Sequence, residues 1–159
     1  GLKGPVSPDM DDASLIGALD WIAHGFEIVQ SIYPGWRFAI ADTIACGGLH
    51  GRMIVGPKRS VAHWTTGNLA RALAAFRIEL ACGGESIDSG GGANVLDSPL
   101  NALRHLARAL ETDALNPPLH AGEIVTTGTL TRAFPVSSGE TWTTRLSGLD
   151  LPGLSVRFV

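Results

Sequence analysis

The most chemically loaded position in this chain is a glutamate inside an apolar run, Phe26-Glu27-Ile28-Val29-Gln30-Ser31. The run has strand character. On a strand, Phe26, Ile28 and Gln30 share one face and Glu27, Val29 and Ser31 the other. A carboxylate among such neighbours is costly to bury unless it is paired or binds a metal. Glu27 therefore needs a partner, and two readings stay open: a buried ion pair or sheet-edge charge, and a ligand for a hard cation. His50 sits in Gly48-Leu49-His50-Gly51, where the glycines let other groups approach closely. It is carried as a candidate catalytic group beside a structural role. None of the five histidines stands in an HxxxH or HExxH spacing, which argues against a zinc site of that kind. His105 falls inside an amphipathic helix pattern, and His24 near an expected helix end, where the dipole accounts for it. No Gly-x-Ser-x-Gly elbow occurs. Gly90-Gly91-Gly92 lacks the Gly-Lys-Ser/Thr of a phosphate loop and reads as a flexible bend.

The elements that must position these residues are short. Asp11-Asp12 supply N-cap chemistry for a helix with Leu15, Ile16, Leu19 and Ile22 on one stripe and Gly25 as its stop. The strand carrying Glu27 follows. Tyr33 to Trp36 reads as a turn, and Phe38 to Ala45 as a short helix holding Asp42. Arg52 to Val55 reads as a strand. Phe76 to Leu80 alternates as a half-exposed strand, and Cys82-Gly83-Gly84-Glu85 turns it back through Ser86 to Asp88. Ser98-Pro99 is a helix start, with Leu100, Leu103, Leu106 and Leu110 as its apolar stripe and Asn116-Pro117-Pro118 closing it. Glu123 to Thr129, Thr141 to Leu146 and Leu154 to Phe158 read as further strands. Helices interrupt strands without a regular βαβ period. The expected class is α+β: a single domain, residues 1–159, with a mixed, largely antiparallel sheet and flanking helices.

Composition narrows the function. Apolar residues make up 45% of the chain, charged ones 17%, and the formal net charge is −3. The chain can bury a core, and the arginines are scattered singly, so nothing reads as a nucleic-acid surface. No apolar run reaches the length of a membrane span. The two cysteines, Cys46 and Cys82, have no CxxC spacing and read as reduced thiols. With no apolar signal core at the start, a cytoplasmic protein is expected.

Two longer blocks carry a resemblance. Gly92-Ala93-Asn94-Val95-Leu96-Asp97-Ser98-Pro99-Leu100-Asn101-Ala102-Leu103, followed by Leu119-His120-Ala121-Gly122-Glu123-Ile124-Val125-Thr126-Thr127-Gly128-Thr129-Leu130, resembles the C-terminal part of the fumarylacetoacetate hydrolase superfamily. The nearer branch is that of the 2-keto-4-pentenoate hydratases and 4-oxalocrotonate decarboxylases. Phe26-Glu27-Ile28-Val29 and Asp42-Thr43-Ile44-Ala45 fit the same pattern in the same order. The resemblance implies a β-roll fold. It implies that Glu27 is the third acidic ligand of a divalent ion, Mg²⁺ or Mn²⁺, and that Thr129, after Gly128, contacts a substrate carboxylate. Asp42 falls in a motif lining the same pocket. The implied activity is that of a lyase, a hydratase or decarboxylase, acting on a small 2-oxo acid by enolate stabilisation.

Departures from the pattern shape the expectation. The family's Glu-x-Glu pair, which supplies the other two ligands, is absent from this chain. Gln30-Ser31-Ile32 and Cys46-Gly47-Gly48-Leu49 stand where Asp-Ser-Arg and Asp-Asn-Ala-Ser are common. The chain is therefore expected to be the C-terminal portion of such a fold, active only with an N-terminal fragment or partner chain and within a homo-oligomer. An acylpyruvate-type hydrolase of the same superfamily and a non-catalytic binding or assembly module remain as alternatives.

Overall fold

The computed structural model describes residues 1–159. Its elements are α1 (Asp12–Ala18), β1 (Trp21–Ile22), β2 (Gly25–Val29), α2 (Ile40–Ala45), β3 (His50–Val55), β4 (Arg59–Ser60), α3 (Thr66–Ala75), β5 (Arg77–Cys82), β6 (Glu85–Gly91), α4 (Pro99–Glu111), β7 (Thr141–Ser147) and β8 (Ser155–Arg157). The class is α+β, and every ladder is antiparallel. A four-stranded sheet runs in the order β6-β5-β7-β8, and the pairs β2-β3 and β1-β4 stand apart from it.

The core explains the helix positions. Leu15 and Ile16 of α1, Leu69 and Leu73 of α3, and Leu100, Leu103 and Ala107 of α4 form one buried cluster with Phe76 and Ile78 at the start of β5. Leu106 and Leu110 pack against it from the flank of the α4 stripe. Asp11 caps α1 by accepting the Ser14 N–H at 2.8 Å, and Ser98 caps α4 by accepting the Leu100 N–H at 3.3 Å.

Several sequence expectations need correction. The first helix ends at Ala18 rather than running on to a stop at Gly25. Ile22 belongs to β1, and Gly25 opens β2, where a side chain would meet the Ile54 carbonyl. The fourth helix ends at Glu111, before the prolines. Glu123 to Thr129 joins no ladder. Its ties are backbone bonds to the N-terminal segment, Leu2 N–H to Glu123 O at 2.9 Å and Gly122 N–H to Leu2 O at 2.8 Å. The triple glycine is not a flexible bend: Gly90 and Gly91 close β6, and Gly91 and Gly92 are buried. Helix α3 has no counterpart in the sequence reading.

Candidate functional site

One face of the four-stranded sheet floors a cavity of about 390 Å³. Opposed residues of an antiparallel pair share a face. The register Ile78↔Leu146, Leu80↔Thr144 and Cys82↔Trp142 therefore puts Ile78, Leu80, Thr144 and Trp142 side by side on that floor. The far wall is the irregular segment from Ile124 to Phe134, and β2 brings Glu27 to the rim. Glu27, Gly128 and Thr129 line this one cavity. Asp42 and His50 are not among its lining residues.

The local geometry of each residue follows from its strand or turn. In the β2-β3 pair, Ile28 faces Arg52 and Val29 faces His50, so Gly51 is the extra residue of a bulge. A side chain at Gly51 would meet the Ile28 carbonyl at 2.7 Å. The bulge moves His50 opposite Val29, on the face that Glu27 shares. Their side chains then meet, His50 Nδ1 to Glu27 Oε1 at 3.4 Å. Contrary to the expectation of a sheltered carboxylate, the pair is open to solvent, with side-chain exposures of 50% for His50 and 47% for Glu27. Asp42 does something else: its Oδ2 accepts the Ala39 N–H at 2.8 Å and closes the first turn of α2. Gly128 has a φ of +133°, a conformation that favours glycine, and it leads directly into an exposed Thr129.

The sequence reading missed His24. It follows β1, reaches the cavity and shares a hydrogen bond of 2.9 Å between its Nε2 and Thr144 Oγ1. Leu154 N–H donates to the same hydroxyl at 3.0 Å. Burial pushes the imidazole down to about 4, so it is neutral at physiological pH. No motif marks it; the only sequence signal is its place just before the apolar strand that bears Glu27. Trp142 is the second omission. Its indole N–H donates to Glu140 at 2.9 Å while its ring stacks on Phe134, 6.0 Å between centroids.

Against a divalent cation this donor set is short. Glu27 offers one carboxylate, and no group of three or more His, Cys, Asp or Glu side chains is assembled in the chain. Mg²⁺ prefers octahedral oxygen coordination and keeps several waters, so Glu27 fits as one ligand and the chain's own residues do not complete a site.

No family model matches the chain. Individual relatives do. The chain is 34% identical over 137 residues to 2-keto-4-pentenoate hydratase 2 of Dechloromonas aromatica (strain RCB), covering 86% of this chain and 49% of that protein. It is 30% identical over 159 residues to 4-oxalocrotonate decarboxylase of Pseudomonas putida, covering 99% and 56%. The structure of 4-oxalocrotonate decarboxylase from Pseudomonas putida G7, complexed with magnesium and adipate, superimposes with a TM-score of 0.83 at 28% identity, over 99% of this chain and 57% of that one. The chain thus spans about half the length of the relatives it matches. By sequence along nearly all of its length, and by fold, its homologues are 2-keto-4-pentenoate hydratase and 4-oxalocrotonate decarboxylase-like proteins, which supports that branch of the fumarylacetoacetate hydrolase superfamily.

Proposed function

We propose that this chain forms the cavity-bearing part of a metal-dependent lyase, a hydratase or decarboxylase, that acts on a small 2-oxo or 2-hydroxydienoic acid. In this reading the fold is the superfamily's β-roll, and Glu27 is one ligand of Mg²⁺ or Mn²⁺. The observation that carries the proposal is the cavity itself, where a rim carboxylate and the Gly128-Thr129 segment line one largely apolar space. A short, partly unsaturated acid needs both surfaces. Its carbon chain fits an apolar floor, and its carboxylate needs a hydroxyl donor such as Thr129. When bound, the ion would supply stabilisation of negative charge developing on the 2-oxo oxygen.

The remaining acidic ligands come from outside these 159 residues, from a further segment or a partner chain in a larger homo-oligomer. The absence of a three-ligand cluster supports this, as does the match to about half of each relative. A second support is the exposed apolar stretch that follows Glu27. Ile32, Trp36, Ile40 and Ile44 are all more than half exposed, and α2 buries no residue. Contiguous apolar surface of this kind marks an interface. His50 stays a candidate acid–base group through its contact with Glu27, and Asp42 belongs to the site only if assembly brings α2 to the cavity.

The test is turnover by the assembled protein, with the 2-hydroxydienoate followed by its ultraviolet absorbance and a 2-oxo diacid by release of CO₂. Mg²⁺-dependent consumption of either is expected. Cleavage of an acylpyruvate alone would transfer the assignment to a C–C hydrolase. Inertness toward all of them, with and without metal, would leave a binding or assembly module.

A further inference from the structure

The segment that presents Thr129 belongs to no sheet, yet three residues of β6 and the turn after it fix its position. Asp88 and Gly90 lie opposite Leu80 and Ile78, so both face the cavity side of the sheet. Asp88 Oδ2 accepts the Arg132 N–H at 3.0 Å and the Arg132 Nε–H at 3.2 Å. Asn94 Nδ2 donates to the Leu130 carbonyl at 2.9 Å. At Gly90 the same carbonyl comes so close that an added Cβ would collide with it. Arg132 then lies 5.2 Å over the Phe134 ring, which stacks on Trp142 at the cavity floor.

We propose that Asp88 is a positioning residue for Thr129: with Asn94 and the bare backbone of Gly90 it seats residues 128–132 on the sheet edge and so fixes where the Thr129 hydroxyl points. This rests on the reading of Thr129 as a ligand contact. The arrangement explains the triple glycine, which is a seat rather than a hinge. It also explains a carboxylate with only 18% side-chain exposure on an edge strand. The Arg132 and Ser89 amides hold that carboxyl below its usual range, so the acceptor is ionised at neutral pH. Asp88, Asn94, Thr129 and Arg132 all line one polar pocket of about 260 Å³, so the seat and the Thr129 side chain lie side by side.

The test uses the assembled protein with Mg²⁺ and oxalate as probe, alongside hydrogen exchange at the amides of residues 130–132. Asp88→Ala should raise exchange there roughly tenfold or more while the β5 amides of Ile78 and Leu80 stay protected. It should also weaken oxalate roughly tenfold. Thr129→Val should weaken oxalate as well, and the double variant should be little worse than either single one. Asp88→Asn, which keeps an acceptor for the Arg132 N–H, should restore most of the binding. If Asp88→Ala fails to fold, Gly90→Ala tests the same point by pushing the Leu130 carbonyl off its seat, and it should weaken oxalate by a similar factor. Thr129→Val weakening oxalate while Asp88→Ala and Gly90→Ala do not would overturn the positioning role and leave the site reading intact. Additive losses in the double variant would likewise overturn it, since Asp88 would then act independently of Thr129. An unchanged affinity in Thr129→Val would instead overturn the site reading, and the positioning role with it.

Discussion

Glu27 and His50 show how far residue-level reasoning reaches. An isolated carboxylate in an apolar run is visible in the sequence, and so is its need for a partner. The identity of that partner was not legible, because it depends on one extra residue at Gly51 that shifts the β3 register. The pair is exposed, and exposed pairs contribute little to stability. Glu27→Gln should therefore change the unfolding free energy by less than about 0.5 kcal/mol while abolishing Mg²⁺-dependent activity. A loss of several kcal/mol in chemical denaturation would show that Glu27 serves the fold instead. His24 is the opposite case, invisible as a motif but heavily perturbed in the folded chain. The unfolded imidazole takes up its proton near 6.5, whereas the folded one holds out to about 4. Its neutral form therefore supports the fold fully above pH 6.5, and that support drains away as pH falls through this window. The loss approaches on the order of 3 kcal/mol below pH 4. His24→Gln, which keeps a hydrogen-bonding group beside Thr144, should flatten the fall in stability between pH 6.5 and 4. An unchanged slope would assign the acid sensitivity to other groups.

At the scale of elements, what was legible was what local chemistry alone decides. The caps Asp11 and Ser98-Pro99, the Gly83-Gly84 turn and the strands on either side of it stand where those residues require. What was not legible depended on tertiary partners. The stretch from Glu123 to Thr129 has strand-like composition but joins no ladder: Leu2 holds it at Glu123, and Asn94 holds the chain just beyond it at the Leu130 carbonyl. Helix α3 carries a glycine and a threonine in its first turn, which mask its periodicity, yet Leu69 is fully buried at the centre of the core. Leu69→Ala should cost about 2–5 kcal/mol, because the close-packed cluster around it can collapse only partly. Thermal or chemical denaturation would measure this, and a cost below about 1 kcal/mol would mean that α3 is not the keystone of the α1–α4 packing.

For the whole molecule, fold and site divide differently. The α+β class and the antiparallel sheet were accessible from sequence; that Glu27, Gly128 and Thr129 line one cavity agrees with what the family resemblance implied, while their roles there are proposals. The cavity floor was not, because it arises from the registers of β5, β6 and β7 acting together. The proposed cation site is where a single chain runs out of donors: one carboxylate at a cavity rim does not hold Mg²⁺ without further acidic groups. The central claim is therefore that this cavity takes a cation-bound 2-oxo acid once those groups are supplied. The most direct measurement is calorimetric titration of oxalate, with and without Mg²⁺, into the assembled protein, its Thr129→Val form and the 159-residue chain alone. The expected result is Mg²⁺-dependent binding by the assembled protein, roughly 10- to 100-fold weaker binding by Thr129→Val, and none by the isolated chain. Oxalate binding that ignores Mg²⁺, or that is equal in wild type and Thr129→Val, would contradict it.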